Sequence, residues 1–339
     1  MKLQERIDGF VALGERIDAL SDSEKTELSR RASNENAWFT EAHVSLALLG
    51  LQMFLDPSKI SDWINKYHLR DQGKSVGLVM AGNIPMVGFH DLFCVLMSGN
   101  KLMAKLSSSD SVLIRQLIDW LVEINGGFAS NITIADRLND AEAIIATGSD
   151  NTARYFRYYF DKKPHIIRQN RTSVAVLTGD ESKEDITNLG SDIFSYYGLG
   201  CRNVSKIYIP KGFDLCSFLD VLSDSIYKKI AEHHKYCNNY DYNKSIYLVN
   251  GDAHLDTGFL LLKEEIEQLV SPISVLYYAY YDSPQQLLLT LAGQQDKIQC
   301  TVGDVDWLDG LVPFGQTQCP QLSDYADGVD TMEFLSNLK

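Results

Sequence analysis

Four short segments carry residues whose type and spacing could do chemistry. In Gly198-Leu199-Gly200-Cys201, two glycines stand between an expected helix end and an expected strand start. They permit backbone angles that other residues avoid, and they leave open space around the next side chain. A thiol placed there can face a cleft, and nearby Arg202 or local dipoles would favour its thiolate. The same tetrapeptide also fits a small apolar cysteine at a turn. In Ala81-Gly82-Asn83-Ile84-Pro85, an amide sits just past a strand and just before a helix, where it could donate to a developing oxyanion or simply cap the helix through an Asx turn. Lys105, Ser107, Ser108 and Ser109 follow the next strand and suit ribose hydroxyls or a phosphate. Thr147-Gly148-Ser149 is a third strand-to-helix junction, where a pyrophosphate could approach a helix N-terminus.

These segments need elements to position them. Leu3, Ile7, Phe10, Leu13, Ile17 and Leu20 recur at helical spacing, and a second apolar helix is expected over 41–55, with Thr40 as cap and Pro57 beyond it. Both are expected to cover a sheet rather than do chemistry. Strands are expected at 75–80, 101–106 and 141–146, separated by helices at 86–98 and 110–124 and followed by one to about 160. The alternation resumes with strands at 173–177 and 204–209 and helices at 183–198 and 214–233, then strands at 245–249 and 273–281. Strands alternating with helices of this length imply parallel sheets covered on both faces.

Composition narrows the classes. The 339 residues are too many for one ordinary core, so two domains are expected. With 31 basic and 45 acidic residues, the formal charge is −14, and a polyanion such as nucleic acid would be repelled on average. The 6 cysteines form no CxxC pair, and their spacing matches neither a zinc site nor a disulfide scaffold. The N-terminus shows no apolar signal core, and no segment approaches the ~20 apolar residues of a membrane span. A cytoplasmic protein is expected.

No GxGxxG is present. The order of the segments is more specific than any one of them: Asn-x-Pro, then Gly-Asn with Lys, then Thr-Gly-Ser, then Gly-x-Gly-Cys. This order resembles the aldehyde dehydrogenase superfamily. Gln268-Leu269-Val270-Ser271-Pro272 resembles that superfamily's Glu-x-Phe-Gly-Pro segment, and Val312-Pro313-Phe314-Gly315 its late Pro-Phe-Gly segment. The likeness spans roughly residues 75–325. Within the superfamily the chain looks most like the acyl-CoA reductase family that includes the fatty acid reductase subunit of bacterial bioluminescence.

The resemblance implies an α/β fold with two parallel-sheet domains, a Rossmann-like cofactor domain and a catalytic domain. N-terminal helices would occupy 1–55, the dinucleotide-binding domain 56–170, the catalytic domain 171–305, and a C-terminal return segment 306–339. It implies that Cys201 accepts the acyl group and Asn83 donates to the oxyanion. Lys105 and Ser107 would hold the adenosine ribose, Gly148 and Ser149 would lie along the dinucleotide, and Gln268 and Phe314 would complete the cofactor site. Ser108 stands where NAD-preferring members carry an acid, so NADPH is favoured and NADH permitted. The superfamily's Glu-Leu-Gly-Gly segment, whose Glu activates water, is matched by Ile167-Arg168-Gln169-Asn170-Arg171. Without that base the intermediate should exchange with a thiol such as coenzyme A rather than hydrolyse.

The expected partner is an acyl-CoA or another acyl thioester, with a homo-oligomer and an acyl-transferring partner enzyme also in view. Arg168 and Arg171 could attract coenzyme A phosphates or lie solvated at the surface. If both faced the pocket, they would favour an acylating semialdehyde or acyl-phosphate reductase. A non-catalytic binding or assembly protein that keeps the fold is the alternative from another class. His90 reads as a core histidine. His233-His234, with Lys228, Lys229 and Lys235 nearby, suits a helix end. The run Tyr155, Phe156, Tyr158, Tyr159 and Phe160 reads as helix packing rather than an acyl channel. Tyr277, Tyr278, Tyr280 and Tyr281 fall in a strand that could support a subunit interface.

Overall fold

The computed structural model describes residues 1–69, 73–148 and 150–338, and the side chains of all of these except 150, 225 and 227–229. Two compact units emerge. One comprises Met1–Asn170 with Pro320–Lys339, the other Arg171–Cys319.

The first unit opens with helices α1 (Leu3–Asp18), α2 (Asp22–Glu35), α3 (Glu41–Phe54) and α4 (Pro57–Ile64). Phe10, Leu13 and Ile17 of α1 are fully buried, and Phe10 meets Phe93 edge-on at 4.7 Å between ring centres. Thr40 caps α3 by accepting from the His43 N–H, and Pro57 begins α4 at a position where its missing N–H costs nothing. Then come β1 (Ser75–Val79), α5 (Phe89–Met97), β2 (Lys101–Lys105), α6 (Ser111–Ile124), β3 (Ile132–Ile134), β4 (Ala143–Thr147), α7 (Asp150–Phe160) and β5 (His165–Arg168). The strands form a parallel sheet in the order β3-β2-β1-β4-β5. The chain winds outward from β1 through β2 to β3, then crosses to β4 on the other side of β1. The loops after β1 and β4 therefore flank the switch point, where open α/β sheets bind ligands.

The second unit holds β6 (Thr172–Val176), α8 (Lys183–Phe194), β7 (Val204–Pro210), α9 (Leu215–Ile230), α10 (His234–Asn250), β8 (Leu255–Asp256), β9 (Leu261–Glu264), β10 (Val275–Tyr281), α11 (Pro284–Ala292) and β11 (Ile298–Val302). Its sheet runs β11-β6-β7-β10-β9-β8, parallel throughout except for β8 against β9. β6 is buried at every position, as a strand covered on both faces should be. The chain then rejoins the first unit at Pro320 and ends in α12 (Thr331–Ser336). Residues 306–319, expected in the return segment, stay with the second unit.

Several expected elements differ. The strand expected at 245–249 is the last part of α10. Ile246, Tyr247 and Val249 suit strands by type, but the buried residues Tyr236, Tyr240, Asn243 and Tyr247 recur at spacings of four and three, while Val249 is exposed. Packing of that face, with Gly251 closing the helix in a left-handed conformation, overrides local preference. The helix expected over 183–198 stops at Phe194, because Tyr196 and Tyr197 take left-handed angles. The tyrosine-rich strand β10 lies inside its own sheet, hydrogen-bonded on both sides, so it offers no free edge to a second subunit.

Candidate active site

Cys201 is half-buried at the turn between α8 and β7. The turn is unusual before it reaches the thiol. Tyr196 and Tyr197 both have positive φ, 51° and 56°, and Gly198 follows at 77°. Two consecutive bulky residues in the left-handed region store strain that the surroundings must hold. Asn203 supplies that hold. Its buried Oδ1 accepts from the Gly200 N–H at 2.8 Å, while its Nδ2 donates to the carbonyls of Asp192 at 3.0 Å and Ser195 at 2.8 Å. One side chain thus ties the end of α8 to the residue before Cys201. Ser173 of β6, wholly buried, donates to the Cys201 carbonyl at 3.1 Å, and its hydroxyl also lies 3.0 Å from the Cys300 sulfur.

The segment carrying Phe314 is bound to the same turn. The Asp192 carboxylate accepts from the Gly315 N–H at 2.7 Å and the Thr317 N–H at 3.0 Å, and Arg202 donates from Nε to the Thr317 carbonyl. Burial raises the Asp192 pKa, and the Gly315 and Thr317 donors oppose that rise. Cys201, Phe314 and their supports therefore form one hydrogen-bonded assembly within the second unit. Asp192, Asn203 and Ser173 were not singled out from the sequence. A polar residue two positions after a Gly-x-Gly-Cys was the available signal for Asn203.

Gln268 lies exposed in the segment after β9. Its backbone is positioned by Lys206 of β7, a wholly buried lysine whose Nζ donates to the carbonyls of Ile266 at 3.0 Å and Gln268 at 3.1 Å. Glu265 accepts from the Glu267 and Gln268 N–H groups and completes the turn. Burial pushes the Lys206 pKa down to about 8, with Glu265 opposing the shift.

In the first unit, Asn83 is exposed on the loop after β1, and Lys105 ends β2 beside Val79, also exposed. Ser107 is half-buried and Ser108 exposed on the following loop. The two loops touch: a Cβ on Gly82 would sit 2.4 Å from Ser107 Oγ, so glycine is required there. Gly148 follows β4 across the switch point, while Ser149 lies outside the described residues. Asn83, Lys105, Ser107, Ser108 and Gly148 thus share the carboxyl ends of three adjacent strands. The carboxyl ends of strands at a switch point are where open α/β sheets bind ligands, and these small and hydroxyl residues could hold a nucleotide.

The model of the LuxC acyl-CoA reductase family matches residues 41–278. The chain belongs to the LuxC acyl-CoA reductase family. It is 22% identical over 225 residues to a long-chain acyl-protein thioester reductase of Aliivibrio fischeri, which covers 60% of this chain and 46% of that protein, so the chain spans about half of that relative. Among solved structures, an aldehyde dehydrogenase of Mycobacterium tuberculosis complexed with NAD+ matches with a TM-score of 0.60 at 13% identity, over 85% of this chain and 70% of that one. The aldehyde dehydrogenase KauB of Pseudomonas aeruginosa matches with a TM-score of 0.66 at 11% identity, over 91% and 73%. The fold is that of the aldehyde dehydrogenases. Among the described residues no helix is long and apolar enough to cross a membrane.

In this LuxC-family chain Arg168 is neither solvated nor turned to a ligand phosphate. It is buried, pairs with Asp91 of α5 and donates to Thr331 Oγ1 at 2.8 Å. Arg171 donates to the Ile298 carbonyl at 3.2 Å. His90 reaches the Leu322 carbonyl at 3.1 Å, and burial lowers its pKa. His233 does not close α9. It caps the start of α10 by accepting from the Tyr236 N–H and stacks on Tyr197 at 4.2 Å; the side chains of Lys228 and Lys229 lie outside those described. The aromatic run divides. Phe156 and Phe160 pack on the cluster of Leu138, Ala141, Ile144 and Ala146, whereas Tyr155, Tyr158 and Tyr159 are exposed.

Proposed function

We propose that this chain reduces an acyl thioester to an aldehyde through an acyl-enzyme on Cys201. One observation carries the reading: a family member presents this thiol on a strained turn tied down by Asn203, Ser173 and Asp192, an outlay of backbone strain that a packing cysteine does not need. The Cys201 thiolate attacks the thioester carbonyl. A new carbon–sulfur bond forms, the coenzyme A thiolate leaves, and the acyl group remains on Cys201. The Asn83 amide and the Cys201 backbone N–H are assigned to the oxyanion.

Lys105, Ser107, Ser108, Gly148 and Ser149 are assigned to the adenosine and diphosphate of a nicotinamide nucleotide, and Gln268 and Phe314 to its nicotinamide side. When bound, that nucleotide supplies the hydride that carries the acyl group to the aldehyde level. Ser108 does not repel a 2′-phosphate, which supports NADPH over NADH. The absence of a Glu in the Ile167–Arg171 stretch favours exchange with a thiol over hydrolysis. Arg168 and Arg171 are committed to Asp91 and the Ile298 carbonyl, which disfavours a small acidic or phosphorylated substrate. The acyl donor is assigned to coenzyme A or to a protein-borne thioester delivered by a partner enzyme, and a cytoplasmic homo-oligomer is the form proposed.

The test is incubation with a series of acyl-CoAs in the absence of nucleotide, followed by intact mass and peptide mapping. An acyl adduct on Cys201, absent from Cys201→Ser, is the expected result. A folded protein with a reactive thiol that takes no acyl group from any donor in the series would overturn the reading.

A further inference from the structure

Part of what holds the loops after β1 and β2 together precedes the matched family segment. Asn36, just beyond α2, donates from Nδ2 to the Gly82 carbonyl at 3.3 Å and to the Ser109 carbonyl at 3.3 Å. The two hydrogens of one amide thus reach two different loops. Its Oδ1 accepts from the Trp38 N–H at 3.1 Å, which fixes the amide's orientation. Adjacent Glu35 accepts from the Ser111 and Val112 N–H groups at 2.8 and 3.0 Å, occupying the N-terminus of α6. From the other side, buried Asp110 accepts from the Met86 N–H at 2.7 Å, where Met86 has a left-handed φ of 57°. Its other oxygen has no hydrogen-bond partner among the described residues.

We infer that Asn36 and Asp110 are positioning residues that lock the Asn83 loop to the Ser107–Ser109 loop, so that the proposed oxyanion donor and the proposed ribose-binding groups move as one piece. The inference rests on the functional reading for what the loops carry, but the lock itself is a matter of geometry. The N-terminal helices thereby do more than cover the sheet. Glu35 and Asn36 at the end of α2 brace the site loops, and they lie before the segment 41–278 that the family model matches.

The brace has a pH dependence. Burial raises the Asp110 carboxyl to about 8, with the Met86 N–H opposing and Glu35 adding to the rise. Glu35 of α2 is the charged group bearing on it; Gly82 and Ser107 approach from the two loops without charge. Below pH 8 the neutral carboxyl accepts from Met86 at no electrostatic cost. Above it, a buried anion faces Glu35, and the brace should loosen.

Hydrogen exchange on the full chain reads the brace directly, after correction for the intrinsic pH dependence of exchange. In Asn36→Ala, amides of 81–90 and of 106–113 should both exchange at least five-fold faster at pH 7, and the NADPH dissociation constant should rise by a similar factor. Asn36→Asp keeps an acceptor for Trp38 and loses both donors, so it serves if the alanine variant fails to fold. Asp110→Asn should match wild type at pH 7 and keep its protection at pH 9, where wild type loses it. Faster exchange in one loop only, or in neither, would overturn the brace, as would identical pH profiles for wild type and Asp110→Asn. Exchange that behaves as expected in a protein that binds no nucleotide would uphold the brace and count against the nucleotide assignment alone.

Discussion

Arg168 and Asp91 form an ion pair wholly inside the first unit, joining the last strand of its sheet to α5 while Arg168 also holds Thr331 of the returning C-terminal helix. Neither group has a useful exposure to solvent, so the pair's worth lies in what happens when half of it is lost. Removing one partner from a buried pair strands the other charge and typically costs about 3–5 kcal/mol, whereas apolar replacement of both is often neutral. Arg168→Met should therefore lower the melting temperature sharply, and Arg168→Met with Asp91→Leu should recover most of the loss. The affinity for coenzyme A of the folded fraction should not change in either variant. A selective loss of coenzyme A affinity with normal thermal stability would return Arg168 to the ligand.

The turn that carries Cys201 yields a second expectation. Asn203→Ala removes both the acceptor for Gly200 N–H and the donor to the α8 carbonyls. The strained tyrosines Tyr196 and Tyr197 would then relax. Acyl loading of Cys201, followed by mass spectrometry without nucleotide, should slow by at least ten-fold, while nucleotide binding through the first unit's loops should hold. Asp192→Asn should show a milder form, because an amide oxygen still accepts from Gly315 or Thr317. Undiminished acyl loading in Asn203→Ala would show that the turn needs no such tie.

Much of this was legible in advance, and the reasons differ by element. The strands β1, β2, β4, β6 and β7 are short apolar runs bounded by glycine or polar residues, which local pattern reveals. The edge strand β3 is only three residues long and mostly exposed, so no hydrophobic signature marks it. Helix α10 carries strand-forming residues, and its identity depends on which face is buried. At the candidate site, Cys201 and Asn83, whose roles are proposed, were singled out by the order of the motifs. Asn36, Asp192 and Asn203 were not, since an amide or carboxylate acquires meaning from carbonyls distant in sequence. Arg168 misled for the same reason: a basic residue in a polar stretch looks solvated until its partner, 77 residues away, is seen.

Asn83 gives a sharper kinetic expectation. Deleting one oxyanion donor usually costs ~10²–10³ in rate. Asn83→Ala should lose about that much in the acylation step, yet it should bind nucleotide as wild type does, because the contacts between Gly82, Ser107 and Asn36 do not use its side chain. Asn83→Asp should be at least as slow, since a carboxylate repels the developing charge. Equal acylation rates for wild type and Asn83→Ala, at saturating acyl-CoA, would remove Asn83 from the chemistry.

Lys206 couples stability to pH in a direction that can be worked out. Its folded pKa of about 8 lies below the ordinary lysine value of 10.5, so between those values the native state binds fewer protons than the unfolded chain. Stability should rise as pH increases through that window, and the full cost of burying the charge is present below pH 8. Lys206→Met abolishes the titration but leaves the Ile266 and Gln268 carbonyls without this donor. Wild type should therefore gain stability relative to Lys206→Met as pH rises from 7 towards 10. The released segment carries Gln268, so the Michaelis constant for the nucleotide should rise in Lys206→Met while acyl loading of Cys201 stays near the wild-type rate. Denaturant titrations at pH 7, 8.5 and 10 measure the first effect and steady-state kinetics the second. A stability difference that does not vary with pH would mean that Lys206 keeps an ordinary pKa in the folded protein.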